Sequence, residues 1–247
     1  AGGFFAVYLP SPVAHDDAEH QARMANPPYA LPLPDPIPWV DAIAPALAAM
    51  GHLHWMERAS RSALKLCRSA GEVRACLAQG TIAAILHMEG AEAIEEGLDA
   101  LHLFHAMGLR SLGPVWSRPT AFGHGVPFAF PASPDTGPGL TDAGKRLVRE
   151  CNGLRIMLDL SHLNEAGFDD VARLSDAPLV ATHSNAHAIC PSTRNLTVRQ
   201  LALIRETGGM VGLNFPVAFL RPDGQRDPRT GRDDVLRQMD HLLRHLG

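Results

Sequence analysis

The chain lacks any apolar run approaching the roughly 18 residues needed to cross a bilayer, so no transmembrane segment is predicted in it. It also lacks a surplus of positive charge: 22 basic residues stand against 26 acidic ones, for a formal net charge of -4. That balance offers a phosphate backbone nothing to hold, which removes nucleic acid as an expected partner. Cysteine is scarce. The four present, Cys67, Cys76, Cys151 and Cys190, are widely spaced, make no close-pair metal pattern, and read as reduced buried thiols. The opening residues, Ala1-Gly-Gly-Phe-Phe-Ala-Val-Tyr-Leu, have neither the basic start nor the cleavage site of a signal peptide. A cytoplasmic location is the expectation, any export signal having to lie ahead of Ala1.

What is present describes a globular protein with ample core, at 46% hydrophobic and 19% charged residues, and a small molecule is the default substrate. A length of 247 residues fits one α/β barrel, which commonly runs to about 250 residues as a single domain.

Phe4, Phe5, Val7, Tyr8 and Leu9 predict an opening strand. The proline-rich stretch from Asn26 to Pro38 predicts an extended surface excursion, with an interdomain linker as the alternative. From Trp39, Ile43, Leu47, Met50 and Leu53 recur at helical steps. Gly71 and Gly80 break the chain before Thr81–Gly90, whose continuous apolar run suits a strand covered on both faces. Ile94, Leu98, Leu101 and His105 predict one helical stripe ended by Gly108. Further strands are expected over Ser111–Trp116, Leu154–Leu160, from Pro178 to Thr182, and over Met210–Phe215. Thr141-Asp142 and Asn164 are candidate helix starts, and Thr197-Val-Arg-Gln200 is a capping box with Leu196 and Leu201 as its staple. A last helix from about Asp233 is expected to bury Leu236, Met239, Leu243 and Leu246. Six strands alternating with helices demand parallel pairing with right-handed crossovers, so the predicted architecture is a TIM-like (β/α)8 barrel of the metal-dependent hydrolase type with about six of its eight strands. Residues 1–247 read as a single domain truncated at both ends.

Active sites of parallel α/β folds lie at the carboxyl ends of the strands. Those ends carry Glu89, Trp116-Ser117-Arg118, His162, His183 and Asn214. Parallel neighbours lie about 4.8 Å apart, so histidines at two adjacent exits can meet on one ion, and two imidazoles with one carboxylate suffice for zinc or a similar cation. A lone histidine is more often a core or surface residue, and the chain has 13 of them. His87 shares the face of Glu89 and reads as a second candidate ligand or as a residue one layer below the site; His187 reads as a rim residue. Glu89 needs a partner charge if buried, which a metal, Arg118 or Arg194 can supply. The planar fork of Arg194 suits a carboxylate held by two parallel hydrogen bonds.

Asp159-Leu-Ser-His162, then Thr182-His183-Ser184, then Ser192-Thr-Arg194-Asn195, with Met88-Glu89-Gly90 before them, resembles the membrane (renal) dipeptidase family, bacterial members included, over essentially the whole chain. The resemblance implies a (β/α) barrel with two zinc ions that hydrolyses dipeptides by a metal-bridged hydroxide. It implies that Glu89 is the catalytic carboxylate bridging the metals, that His162 and His183 are metal ligands, and that Arg194 is the substrate-binding residue for the free carboxylate.

The sequence departs from the family in three places. Neither the His-x-Asp pair of the family's first strand nor the aspartate of its last strand is present, and Trp116 stands where a histidine is expected, with His124 nearby. One half of a two-zinc site is therefore expected in this chain. The expected partner is a dipeptide, with a homodimer as a possible assembly. Two other readings stay open: a barrel hydrolase acting on a cyclic amide or lactone, and a catalytically inactive barrel fragment that binds or oligomerises.

Overall fold

Phe4, Phe5, Val7 and Tyr8 do open the chain as a strand, β1 (Gly2–Tyr8), in the computed structural model, which describes residues 1–11 and 17–247. His15, which is assigned no chemistry, lies outside those residues. There follow α1 (Asp17–Met24), β2 (Tyr29–Ala30), α2 (Trp39–Ala59), β3 (Leu64–Leu66), α3 (Ala70–Gln79) and β4 (Ile82–Glu89). Next come α4 (Asp99–Met107), β5 (Leu109–Gly113), β6 (Ala129–Phe130), α5 (Asp142–Leu154), β7 (Met157–Leu158) and α6 (Glu165–Leu174). The chain continues through β8 (Val180–Ala181), α7 (Val198–Glu206), β9 (Met210–Val211), a 3-10 turn (Val217–Phe219) and α8 (Arg232–Leu246).

The six long-range strands stand side by side in sequence order and all run parallel. β1 pairs with β4 from Gly2↔Ala83 to Tyr8↔Glu89, β4 with β5 as far as Glu89↔Gly113, and β5 with β7. An Asp159↔Val180 bridge carries the arc to β8, which pairs with β9. Each crossover holds a helix, and the apolar faces meet in one cluster that runs from Val7 to Leu242. The carboxyl ends of the strands therefore open on the same side, where a ligand can be gripped from several of them.

Local capping follows the sequence closely. Ser69, Thr141, Asn164 and Thr197 each accept a backbone N–H from the first turn of their helix, and Thr197 with Gln200 closes the capping box. Six details differ. Gly71 sits inside the first turn of α3, where glycine is tolerated, because Ser69 starts that helix one residue before Ala70. Ile94 and Leu98 precede α4, with Leu98 at a φ of 69°, so the apolar spacing there comes from a folded turn. β5 ends at Gly113 because Pro114 has no N–H to continue the ladder. The sequence missed β3 and α3, which are short and only weakly amphipathic. The proline-rich stretch is more than a surface excursion: Tyr29, Leu31 and Ile37 are buried, and Tyr29 and Leu31 pack with Phe130, Cys190 and Phe219 in a second small core above the strand exits. Finally, α8 buries Gln238 and Leu242 and leaves Leu236, Met239 and Leu243 exposed. The Gln238 side chain is held by the Ala186 N–H and the Leu220 carbonyl, and those two bonds set the face that turns inward.

Candidate metal centre

Glu89 is the last residue of β4 and shares an inward face with Ile85 and His87 by strand alternation. Gly90 follows at a φ of 93°, a conformation that leaves the strand sharply and favours glycine. His162 lies beyond the end of β7 with a φ of 69°, uncommon for a residue with a side chain. Its backbone is pinned there by the Val126 N–H donating to the His162 carbonyl at 2.8 Å and by a bridge between Gly125 and Leu163. His183 stands at the exit of β8, where β9 passes so close that a Cβ on Gly212 would overlap the Thr182 carbonyl.

The three side chains converge. His162 Nε2 lies 3.2 Å and His183 Nε2 3.3 Å from Glu89 Oε1, and the two Nε2 atoms are 3.0 Å apart. Ligands at about 2.0–2.1 Å around a tetrahedral ion are spaced by about 3.3–3.4 Å, so these separations fit one divalent cation at their centre. Glu89, His162 and His183 form a group of potential ligands within 4.8 Å of one another.

The electrostatics suit the same state. Burial pushes Glu89 up, but its contacts with His162 and His183 outweigh burial and hold it below the ordinary carboxylate range. Burial first, and then the charge of Arg194, push His162 down to about 3, so at neutral pH it is an uncharged imidazole. An anionic carboxylate beside a neutral imidazole is the protonation state a metal requires of its ligands.

Arg194 is 3% exposed and donates from Nη2 to the His183 carbonyl at 3.0 Å, while its Nε is buried with no partner among the described residues. Burial lowers it to about 10, which leaves it charged at neutral pH. Its guanidinium lies 5.9 Å from the Phe219 ring centroid. Phe219 stacks on Phe128, which meets Trp116 edge-on at 5.7 Å, and Trp116 in turn contacts Tyr8 and His162. An aromatic wall thus runs from the arginine to the histidines.

The other candidates separate cleanly. His87 is not in the group: its Nδ1 meets Ser111 Oγ at 2.8 Å and its Nε2 lies 3.7 Å from Asp159, which is the layer below the site. Arg118 does not pair with Glu89; it grips Glu92 at 2.7 and 3.0 Å and also binds Leu9 O and Ser11 Oγ. His187 bonds the Ala132 carbonyl, and Asn214 is tied through its backbone to Asn185. Trp116 is wall, and His124 is outside the ligand group.

Residues that received no role from the sequence lie behind the ligands. Ser117 Oγ sits 2.9 Å from His162 Nδ1, and Thr182 Oγ1 sits 2.8 Å from His183 Nδ1. Asp159, 1% exposed, takes the Thr182 hydroxyl and two backbone N–H groups. Burial raises its pKa, but the nearby histidines and the Thr182 hydrogen bonds overcome that and hold it low. A signal was available: an aspartate at an inward position of a core strand needs partners.

Residues 1–247 match the family model described as membrane dipeptidase, peptidase family M19. The chain is 69% identical to the solved metallopeptidase from Rhodobacter sphaeroides liganded with a phosphinate mimic of the dipeptide L-Ala-D-Ala, with a TM-score of 0.98 over all of this chain and 70% of that one. A second solved chain, dipeptidase AC, a metallopeptidase of family M19, is 68% identical with a TM-score of 0.97, again over all of this chain and 70% of that one. An uncharacterized Acinetobacter calcoaceticus protein in the PQQ-III 3' region is 41% identical over 242 residues, spanning 98% of this chain and 75% of that protein.

Proposed function

The chain belongs to the membrane dipeptidase family, and from that premise we propose that Glu89, His162 and His183 hold a zinc ion of a metal-dependent dipeptidase while Arg194 binds the free carboxylate of the substrate. The observation that carries this reading is the convergence of three acceptor atoms within 3.0–3.3 Å from three strand exits, with Arg194 tied to the backbone of one of them. Bound there, the ion supplies Lewis acidity toward the scissile carbonyl and lowers the pKa of water beside it.

The protein's own residues do the rest. Glu89 would be catalytic as one of the three residues that would hold that ion. Arg194 has an unpaired buried Nε and a rigid fork, so a carboxylate can take two parallel charge-assisted bonds from it. The wall of Trp116, Phe128 and Phe219 lies along the line from that arginine to the ligands and shields the bound peptide from water. Anchoring one end at a fixed distance from the reacting centre favours substrates one peptide bond long. That geometry also favours a dipeptide over a cyclic amide or lactone that carries no free carboxylate beside the bond to be cut.

Two zinc ions per complete site and one barrel domain belong to the same proposal, supported by family membership and by the continuous core from Val7 to Leu242. A reducing, cytoplasmic setting is supported by four buried free thiols; none of the described helices is long and apolar enough to cross a membrane. The test is zinc content by mass spectrometry together with hydrolysis of unblocked, N-acylated and C-amidated dipeptides. Bound zinc with cleavage confined to substrates bearing a free carboxylate is expected. A protein that binds no zinc, or cleaves C-amidated peptides equally well, sinks the reading.

A further inference from the structure

A neutral imidazole has one proton for two nitrogens, and it can serve as a metal ligand only through the bare one. Which nitrogen of His183 is bare is decided beneath the site. Asp159 Oδ1 accepts the N–H groups of Ser161 at 3.0 Å and Thr182 at 2.8 Å, and its Oδ2 accepts the Thr182 hydroxyl. An ionised carboxylate only accepts, so the single hydroxyl proton of Thr182 is committed to it. Thr182 Oγ1 then has only lone pairs to offer His183 Nδ1, 2.8 Å away. The carboxylate itself lies 3.8 Å from that nitrogen, beyond hydrogen-bond reach, so the hydroxyl is the link between them.

We propose that Thr182 is a positioning residue that holds the proton of His183 on Nδ1 and so turns the bare Nε2 toward Glu89 and His162, with Asp159 as the group that fixes the direction of the Thr182 hydroxyl. This rests on the reading of His183 as a metal ligand. At His162 the Nδ1 instead meets Ser117 Oγ at 2.9 Å, and among the described residues no carboxylate is bonded to that hydroxyl. On the far side of Asp159 stands His87, itself tied to Ser111, with its Nε2 3.7 Å from the carboxylate, an ion-pair distance and not a hydrogen bond. The metal-binding edge of His183 is thereby set before any ion arrives.

The experiment reads the ring directly. Long-range proton–nitrogen spectra of the histidine-labelled, metal-free protein assign the His183 tautomer, and zinc affinity is measured by competition with a chromophoric chelator in the wild type, Thr182→Val and Thr182→Ser. The wild type is expected to carry the proton on Nδ1. Thr182→Val, which keeps the shape and removes the hydroxyl, is expected to weaken zinc binding about 10- to 100-fold, and Thr182→Ser to restore it. The proposal is overturned by a proton on Nε2 in the wild type, by unchanged affinity in Thr182→Val, or by a loss in Thr182→Ser as large as in Thr182→Val. If Thr182→Val does not fold, the wild-type tautomer still decides. A wild type that binds no zinc overturns the metal reading, and the positioning role with it, while the tautomer assignment stands as a separate result.

Discussion

Arg194 shows how one buried side chain connects structure to substrate choice. Its Nη2 is spent on the His183 carbonyl, and its Nε has no partner among the described residues. Hydrogen bonds to charged groups are worth about 1.5–3 kcal/mol. Arg194→Met should therefore lower kcat/KM for unblocked dipeptides about 10- to 100-fold, with little change for C-amidated analogues; steady-state kinetics on both series checks this. Equal losses on both would mean that the arginine acts by holding the His183 loop. The arginine could be picked from the sequence because of its place shortly after His183, as could Glu89 and His162 from theirs. Thr182 and Ser117 could not, because a hydroxyl behind a ligand has no spacing of its own. Their partners come from other strands and loops, so only the packed structure shows which atoms they face.

At the scale of elements, Arg118 in the loop leaving β5 grips Glu92 in the loop leaving β4, both side chains fully buried, and also bonds Leu9 O and Ser11 Oγ in the loop leaving β1. Burial raises the Glu92 pKa and the charge of Arg118 opposes that rise. Removing one partner of a buried pair typically costs about 3–5 kcal/mol because the other charge is left without compensation. Arg118→Met should lower stability in denaturant titrations by about that amount, and Arg118→Met with Glu92→Gln should recover part of it. The turn before α8 offers a pH-dependent counterpart. Asp227 is lowered to about 2, first by the Arg229 side chain and then by the Arg229 N–H. Its unfolded value is about 3.9, so its contribution is present above that pH and disappears as pH falls through about 2. Asp227→Asn should accordingly melt at a lower temperature than wild type at pH 7, with the gap closing as melts are repeated toward pH 2. α8 also illustrates a limit of periodicity. Leu236, Met239 and Leu243 share a stripe, but Gln238 has backbone partners on the inner side, and an apolar stripe cannot compete with hydrogen bonds that would otherwise be left buried and unmade.

For the whole molecule, the three proposed ligands lie 73 and 21 residues apart along the chain, from Glu89 to His162 to His183. A metal that binds them only in the folded state stabilises that state by mass action, by about 2.7 kcal/mol when free zinc is a hundred times its dissociation constant. The melting temperature should rise with zinc, fall on addition of a chelator, and respond to neither in His183→Ala. The sequence by itself determined the alternation of strands and helices, the helix caps and the residues at the strand exits, because these follow from local propensity, short hydrogen bonds and the period of burial. It also carried enough of the Asp159–Asn195 pattern to identify a dipeptidase. Tertiary structure alone decided that Glu89 faces two histidines and not an arginine, that Arg118 belongs to Glu92, that the proline-rich stretch packs over the strand exits, and that a threonine stands between Asp159 and His183. Each of these depends on which side chains from distant segments share one buried space, and distances of 3 to 4 Å across that space are set by packing, which no local pattern encodes.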